Sequence, residues 1–393
     1  MNENGVLTDR TADFMPTFAT DPDDGRDVQL FDANNDGWLD VVTVTTFSDD
    51  PRLYINLGEN AAGDWLGYED VADWFSPAFP IGPKFCAVAV GDVNADGYDD
   101  LFFVDYDNIL ENRLLINDQD GTFTDETTSR LSTQVASAGF GTSGEIVDFN
   151  RDGSADIVVL QSGLLEFIRN DGNGNFLNNS QIQVLSSSAV YMFEVADFNN
   201  DGRPDLYVVD DGQDFVIFNN STNSNGSVNF TSMDVSNSTR TQGFNGNVHA
   251  ADADNDGWID MAVCDVDVDI PGCNRRFALI RNNNGSSLTD PNNLLTLPWN
   301  IQGSHDMCWI DINCDGRQDM FIADCNGYSM FVQDHTVLLG DVDRNGTVDL
   351  VDVQPFVDLL SSGVSCHAQA DCNQDGIVNL MDVAPFVAIL QGG

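Results

Sequence analysis

Basic residues are scarce in this chain of 393 residues, which has 15 Lys and Arg against 64 Asp and Glu and a formal net charge of −49. Such a charge opposes binding to nucleic acid or to an anionic membrane, so neither is an expected partner. No apolar run reaches about 18 residues, the length that suggests a membrane-spanning helix, so no transmembrane segment is expected. The first residues, MNENGVLTDR, lack the basic start and apolar stretch of a signal peptide.

Motifs of several enzyme classes are also missing. The sequence contains no GxSxG, no HExxH and no phosphate-cradling Gly-rich loop. His305, His335 and His367 fall on different expected elements. These absences favour a protein without catalytic activity and keep an enzyme as the alternative.

None of the eight cysteines forms a CxxC pair, which argues against a zinc or thioredoxin-type site and favours disulfides in an oxidising compartment. Short intervening loops favour pairing Cys264 with Cys273 and Cys366 with Cys372. The sequence assigns no partners to the other four, which are Cys86, Cys308, Cys314 and Cys325. We therefore expect a secreted, extracellular or cell-surface protein.

A nine-residue acidic pattern recurs along the first four fifths of the chain. Its six copies are DANNDGWLD at 32–40, DVNADGYDD at 92–100, DFNRDGSAD at 148–156, DFNNDGRPD at 197–205, DADNDGWID at 252–260 and DINCDGRQD at 311–319. Successive copies begin 49 to 60 residues apart, a period that suits one four-stranded blade of a β-propeller. The pattern therefore predicts a mainly β fold.

Each acidic loop is expected to join two antiparallel strands, because apolar or β-branched runs flank it, as at 88–90 and 101–104. The last period stops after a third strand at 329–334. The start of the chain, NENGVLTDRT at 2–11, matches DQDGTFTDET at 118–127. We therefore predict that an N-terminal strand completes the last blade and removes an exposed sheet edge. This arrangement gives six blades, with seven as the alternative.

The acidic loops have the composition of a calcium site. In DxNxDGxxD the oxygen side chains at positions 1, 3 and 5 converge, Gly at 6 permits a sharp turn, position 7 offers its carbonyl and Asp at 9 can close the shell bidentately. Hard oxygen ligands in this number suit Ca²⁺ better than Mg²⁺. The alternative is that these residues only make polar turns.

The expected propeller ligands share positions 1, 3, 5, 7 and 9 of the six loops. They are Asp32, Asn34, Asp36, Trp38, Asp40, Asp92, Asn94, Asp96, Tyr98, Asp100, Asp148, Asn150, Asp152, Ser154, Asp156, Asp197, Asn199, Asp201, Arg203, Asp205, Asp252, Asp254, Asp256, Trp258, Asp260, Asp311, Asn313, Asp315, Arg317 and Asp319.

Two longer acidic loops follow, DVDRNGTVDLVD at 341–352 and DCNQDGIVNLMD at 371–382. Each precedes an apolar segment that predicts a helix, PFVDLL at 355–360 and PFVAIL at 385–390. Positions 1, 3, 5, 7, 9 and 12 match an EF-hand-like loop, with Asp rather than Glu at position 12. The sequence therefore predicts a small helical calcium-binding module after the propeller.

The loops and the segment NRLLINDQDGTFTD at 112–125 resemble FG-GAP/VCBS repeats, the propellers of integrin alpha chains and of cartilage-acidic-protein-like proteins. The resemblance covers 1–335 and implies a calcium-binding propeller that serves adhesion or ligand binding. The duplicated loops resemble a type I dockerin, which divides the chain into 1–335 and 336–393. About eight calcium sites result, since six loops lie in the propeller and two in the module.

The resemblance to dockerins assigns further ligands to the two terminal loops, with Thr347 and Ile377 acting through their carbonyls. They are Asp341, Asp343, Asn345, Thr347, Asp349, Asp352, Asp371, Asn373, Asp375, Ile377, Asn379 and Asp382.

The same resemblance implies a cohesin-like partner. Dockerins bind cohesins through residues that follow the ninth loop position, which here are Leu350, Val351, Leu380 and Met381. The linker 336–340 is short and apolar, so we expect the module to dock on the propeller.

One further pattern concerns the position three residues before each propeller loop, which holds Gln29, Ala89, Glu145, Glu194, His249 and Cys308. If these side chains reach a central channel, they suit a transition metal or acid–base chemistry. The alternative is that they satisfy one another between blades. Trp38 and Trp258 could stack on sugar rings or simply pack locally.

The sequence as a whole predicts a secreted calcium-binding propeller that acts as a binding or adhesion module for a protein or glycan ligand. A structural subunit of an extracellular assembly is one alternative. A carbohydrate-active enzyme or a lectin-like accessory protein is another, because fold alone does not decide between these functions.

Overall fold

The computed structural model describes most of the chain. The residues outside the description are 1, 4–5, 21–24, 48–49, 72–73, 78–81, 108–110, 137–138, 178–181, 187–189, 211–212, 222–228, 236–246, 265–276, 290–303, 305, 325–326, 334–337, 345, 363–366, 375–376 and 392–393.

Six antiparallel sheets, named blades 1 to 6 in chain order, form the body of the molecule. Blade 1 contains Asp27–Phe31, Asp40–Val44, Arg52–Asn56 and Tyr68–Asp70. Blade 2 contains Phe85–Gly91, Asp100–Asp105, Arg113–Asn117 and Phe123–Asp125, with Phe75–Ser76 added in parallel at its outer edge. Blade 3 contains Gly141–Val147, Asp156–Gln161, Leu164–Ile168 and Ile182–Ser186.

The remaining blades follow the same order. Blade 4 contains Val190–Ala196, Asp205–Asp210, Phe215–Asn219 and Phe230–Asp234. Blade 5 contains Val248–Ala251, Asp260–Cys264, Phe277–Asn282 and Leu288–Thr289. Blade 6 contains Asp306–Ile310, Asp319–Asp324 and Gly327–Phe331. The six-bladed expectation is confirmed, and each nine-residue loop joins the first and second strands of its blade.

The core consists of hydrophobic clusters between consecutive blades. The second strands carry β-branched and aromatic residues, and in blade 2 the strand Asp100–Asp105 is buried along its whole length. A strand covered on both faces favours such a continuous apolar run. Five clusters join blade 1 to 2, 2 to 3, 3 to 4, 4 to 5 and 5 to 6.

The junction between blades 6 and 1 differs from the other five. No hydrophobic cluster spans it among the residues that the structure describes. On the first strand of blade 1, Val28 and Leu30 are 55% and 59% exposed, and on that of blade 6 Ile310 is 40% exposed. We call this junction the seam.

The predicted closure by the N-terminal strand is wrong. Val6–Leu7 pairs with Asn2–Glu3 in a separate two-stranded sheet, and blade 6 has three strands in the described part of the chain. The local hairpin competes successfully because its strands are adjacent in sequence, so pairing them closes only a short loop. The sequence match at 2–11 therefore reflects a hairpin rather than an added strand.

The helices that the structure describes are short. They comprise Thr11–Phe14, Pro16–Thr20, Thr127–Arg130 and Thr133–Ala136 beside the blades, the 3₁₀ turn Leu350–Asp352, and two C-terminal helices, Val353–Ser362 and Val383–Leu390. Among the described residues, no helix has both the length and the hydropathy to cross a membrane.

The two C-terminal helices pack on each other. The rings of Phe356 and Phe386 stack with their centroids 4.1 Å apart, and both side chains are buried with Val342 and Val378. This segment also contacts blade 6. The Nε2 of Gln369 donates to the carbonyl of Asp315 at 2.8 Å, and the amide of Ala368 donates to the carbonyl of Cys314 at 2.8 Å.

The two predicted disulfides are wrong. The sulfurs of Cys264 and Cys372 are thiols, while Cys273 and Cys366 lie outside the described residues. Cys264 is fully buried in the cluster between blades 5 and 6, and Cys372 is buried beside the C-terminal helices. Cysteine in such surroundings behaves as a small hydrophobic residue.

Candidate metal loops and central channel

The six propeller loops share one backbone turn with two left-handed positions. Position 4 has φ between 56° and 62° although none of its residues is Gly, and Gly at position 6 has φ between 76° and 89°. The terminal loops repeat these values at Arg344, Gly346 and Gln374, with φ of 58°, 87° and 60°. The shorter and longer loops therefore begin with the same turn.

The first Asp of each propeller loop holds this turn through its backbone. In blade 1, Asp32 Oδ1 accepts from the amide of Asp36 at 3.0 Å and Oδ2 from the amide of Gly37 at 2.7 Å. The corresponding bonds occur in the other five loops. Side-chain acceptance by the first Asp thus fixes the direction of the loop.

The ninth Asp is buried and has a different role from its neighbours. In blade 2, Asp100 Oδ2 accepts from the amide of Val93 at 3.0 Å, and Oδ1 accepts from the amide of Asn117 at 2.9 Å. Burial raises the pKa of Asp100 to about 7. Because both oxygens already receive an amide hydrogen, this carboxylate ties the loop to the third strand as well as facing the ligand set.

The structure reveals a group of amides that the sequence argument did not single out. Asn117, Asn219 and Asn282 end the third strands of blades 2, 4 and 5, and Asn170 lies two residues after that of blade 3. Each side-chain amide donates to a loop carbonyl of the preceding blade at 2.7–2.8 Å. Gln333 does the same from blade 6 at 3.0 Å. We call these five side chains the latch amides.

Blade 1 carries the same residue type without the same contact. The side chain of Asn56 donates to the carbonyl of Leu39, within its own blade, at 3.1 Å. The signal that could have identified the latch amides is an Asn or Gln after each third strand, at a fixed place in every repeat.

Two of the predicted ligand sets bring three carboxylates together. Single oxygens of Asp252, Asp254 and Asp260 lie within 4.8 Å of one another, as do those of Asp341, Asp343 and Asp352. Each set consists of positions 1 and 3 and the last position of its loop. The other loops have Asn at position 3. These two acidic clusters could hold a metal ion.

The cluster in blade 5 also fits a cation by its hydrogen bonding. Asp254 Oδ1 is buried and has no hydrogen-bond partner among the described residues. Its Oδ2 and that of Asp256 receive Arg281 Nη2 at 2.8 and 2.9 Å. The Arg281 guanidinium therefore already lies against this loop, and Asp254 Oδ1 remains available to a second cation. The chemistry of the donors, all oxygens, suits Ca²⁺.

The terminal loops are closed by their last Asp in the same way. Asp352 accepts from the amides of Asp343 and Asp349 at 3.0 and 2.8 Å. Asp382 accepts from those of Asn373 and Asn379 at 3.0 and 2.9 Å. Two predicted ligands, Asn345 and Asp375, lie outside the described residues.

The residues at position 7 of the propeller loops differ in their side-chain contacts. Trp38 and Trp258 pack on glycines, because an ideal Cβ on Gly58 or Gly285 would lie 2.7 or 2.9 Å from their rings. In blade 4, Arg203 pairs with Asp201 of its own loop. Local packing therefore accounts for the two tryptophans.

The six first strands enclose a central channel with a volume of about 430 Å³. Of the residues predicted to reach it, Gln29, Glu145, Glu194, His249 and Cys308 line the cavity. Ala89 is buried in the core between blades 2 and 3 instead. Asp27 and Asp306, two residues further from the loops, also line the channel.

A His–Asp pair joins blades 5 and 6 in the channel. His249 Nε2 lies 2.7 Å from Asp306 Oδ1. The burial that would lower the pKa of His249 is outweighed by Asp306 and Glu194, so that pKa is raised. Burial also acts to raise the pKa of Asp306, but the bond to His249 prevails and lowers it. His249 is therefore paired with a residue of the neighbouring blade, Asp306, which the sequence pattern did not include.

Two carboxyl groups in the channel have fewer described hydrogen bonds than this pair. Burial and the nearby Glu194 raise the pKa of Glu145 to about 8. Burial raises the pKa of Glu194 to about 7, against the opposing effects of His249 and of the Ala250 amide. No three His, Cys, Asp or Glu donor atoms in this described channel converge within 4.8 Å, so its geometry does not support the transition-metal hypothesis.

Comparison with solved structures finds similar chains at low identity. A lectin of Agrocybe aegerita, described as recognising non-reducing terminal N-acetylglucosamine, is 15% identical over 76% of this chain and 74% of its own, with a TM-score of 0.49. The V. cholerae biofilm matrix protein Bap1 is 14% identical over 72% of this chain and 40% of its own, with a TM-score of 0.35. Comparison with curated proteins finds no match. We draw no functional conclusion from these likenesses.

A match to a protein family is more specific. The FG-GAP-like repeat family matches residues 32–103, 92–159, 148–208 and 197–263. Each match begins at the first Asp of one acidic loop and continues through the next loop, so the family repeat coincides with the loops described above. Together the matches span 32–263, more than half of the sequence. This chain therefore belongs to the FG-GAP-like repeat family.

Proposed function

We propose that this protein is a secreted, calcium-dependent binding module. The observation that carries the proposal is the shared turn of the acidic loops, in which oxygen donors repeat at the same positions. Two of these loops bring three carboxylates within 4.8 Å. Calcium in these loops would be structural, because it would offset the repulsion among carboxylates at the turn between two strands.

Removal of calcium tests this proposal directly. In excess EGTA the melting temperature is expected to fall by about 10 °C or more, because an ion that binds only the folded chain adds to its stability. Adding Ca²⁺ back should restore the original value, and metal analysis of the dialysed protein should find about eight ions per chain. Mg²⁺ at the same concentration is the control and should restore less. An unchanged melting curve in EGTA would contradict the proposal.

The ligand of such a propeller is proposed to be an extracellular protein or a glycan. A glycan array probed with the calcium-loaded chain should show selective binding that EGTA abolishes. Binding to no glycan would direct the search to protein ligands.

We further propose that the C-terminal segment is a dockerin-like attachment module. The two loops and helices are related by the internal duplication, and Leu350, Val351, Leu380 and Met381 are between 62% and 81% exposed. Exposed apolar side chains grouped in this way favour a protein partner. The double change Leu350→Asp and Leu380→Asp should abolish capture by a cohesin domain in calcium. Val357→Asp, at another exposed apolar residue of the segment, is the control.

A further inference from the structure

The central channel contains a pair of acidic groups that the proposed calcium sites do not use. Glu145 of blade 3 and Glu194 of blade 4 come from adjacent first strands and line the same cavity. Glu194 lies close enough to contribute to the raised pKa of Glu145. Both residues are half-buried and face that cavity.

Glu145 has no hydrogen-bond donor in the described part of the chain, where only carboxylates influence it. Glu194 receives a single long bond, from the amide of Ala250 at 3.4 Å. Buried polar groups normally have partners in a folded protein. Both carboxyl groups instead face the cavity, where a bound molecule can supply donors.

The other charged groups of the channel are already engaged. Asp27 accepts from the amides of Val28 at 2.8 Å and Val88 at 3.0 Å. Asp306 holds His249, and Arg26 Nη1 donates to Asn247 Oδ1 at 3.3 Å. The charged groups of the channel with the fewest described hydrogen bonds are therefore the two glutamates.

We propose that the channel binds a small organic cation, whose ammonium group is received by the carboxylates of Glu145 and Glu194. Arg26 and His249, the basic residues that line the cavity, already contact Asn247 and Asp306. A metal ion is disfavoured because the donor atoms do not converge. An ammonium group supplies up to three donors and tolerates wider spacing.

The walls and the volume suit the rest of such a ligand. Ala87, Met192, Phe193 and Val248 contribute apolar surface to the cavity. A volume of about 430 Å³ is that of an ordinary small-molecule site. An alkyl chain that carries the ammonium group would contact these residues, whether it belongs to a free amine or to a lysine side chain.

The affinity of this site is expected to rise with pH. The pKa of Glu145 is raised to about 8 and that of Glu194 to about 7, so both lose protons near neutrality and the ammonium group binds their ionised forms. Among the groups facing them, burial raises the pKa of Asp27 to about 6. Burial acts to lower the pKa of His249, but Asp306 and Glu194 raise it. The remaining facing groups are the Arg26 guanidinium, whose pKa is raised, and the thiols of Cys86 and Cys308, which burial keeps protonated.

Calorimetric titration of the full chain in calcium tests the proposal. The probes are 1,4-diaminobutane, a peptide containing one lysine, and 1,4-butanediol as the neutral control of the same shape. Saturable binding of the diamine should tighten roughly tenfold between pH 6 and pH 8, and the diol should not bind. Binding of the lysine peptide as well would identify a protein side chain as the source of the ammonium group, and binding of the diamine alone a free amine.

Variants locate the binding. Glu145→Gln and Glu194→Gln keep the shape of the side chain and should each weaken diamine binding by about tenfold. Glu111→Gln removes an exposed acidic group outside the channel and should have no effect, which excludes attraction by the net charge alone. Melting curves confirm that each variant folds. No saturable binding by the wild type, or equal binding in Glu145→Gln, would overturn the proposal. Neither result depends on the chelation experiment, which tests the calcium loops separately.

Discussion

The latch amides show how single side chains join this molecule together. Asn170 in blade 3 donates to the carbonyl of Val93, which belongs to the loop of blade 2, at 2.7 Å. The same amide nitrogen also donates to Ala155, and the side-chain oxygen receives the amides of Gly172 and Gly174. One side chain therefore satisfies four backbone groups. Two are carbonyl oxygens, and two are the amides of the turn that contains Gly172 and Gly174.

Replacement of this side chain should be costly. Asn170→Ala is expected to reduce the free energy of unfolding by about 2–4 kcal/mol, because buried backbone groups lose their partners. Urea denaturation in calcium measures this loss. Asn56→Ala is the matched control and should cost less, since the Asn56 amide bonds within its own blade. Equal losses in the two variants would show that the contact between blades is not the cause.

Glu145 offers a test of burial at the same scale. Its pKa is raised from 4.5 to about 8, so the folded chain holds a proton that the unfolded chain has already released, and stability falls as pH rises through that interval. Glu145→Gln removes this loss. Its melting temperature should exceed that of the wild type by about 2–4 °C at pH 8, with no difference at pH 4. A difference that is independent of pH would contradict the assignment.

At the scale of the element, the acidic loop is a turn held by its own hydrogen bonds, and its carboxylates are the proposed calcium ligands. The blade 5 loop is the propeller loop with Asp at position 3, and its carboxylates converge. Replacing Asp254 therefore removes a ligand but none of the bonds from Asp252 that hold the turn.

Asp254→Ala is accordingly expected to lower the melting temperature in calcium by about 2–5 °C and to leave it nearly unchanged in EGTA. Metal analysis should find one ion fewer per chain. Glu59→Ala removes an exposed acidic group outside the loops and serves as the control. If the loss were the same in EGTA, Asp254 would have a purely structural role through Arg281.

These elements also show what a sequence can and cannot predict here. The loop positions followed from residue type, because Asp, Asn and Gly at fixed spacing encode one local turn. The left-handed conformation at position 4 was missed, since Asn, Ala, Arg and Cys occupy it and share no chemistry. The N-terminal strand was misplaced because similar residues can pair with either of two partners. The latch amides depend on contacts between blades that sequence spacing does not specify.

At the scale of the whole molecule, charge dominates. A formal net charge of −49 lies on one folded chain, and acidic loops occur in every blade. Without metal ions their repulsion favours opening of the fold, and dissolved salt screens it within about 10 Å at 0.1 M ionic strength.

Salt should therefore compensate partly for the loss of calcium. In EGTA, raising NaCl from 0.02 to about 0.5 M is expected to increase the melting temperature by several degrees, because the Debye length falls below the spacing of the loops. In saturating calcium the same change should have a smaller effect. Salt effects of equal size in both conditions would indicate that the loops contribute little to the repulsion.

Because of the seam between blades 6 and 1, the stability of this ring resembles that of a linear array of blades. Five junctions carry hydrophobic clusters and latch amides, while the described residues of the sixth junction carry neither. Within the described residues, blades 1 and 6 thus each have one strongly coupled neighbour, as the terminal units of a linear repeat array do. Their stability is then a sum of blade terms and five coupling terms. Loss of structure can then begin at the two ends and advance one blade at a time, and the blades opposite the seam open last.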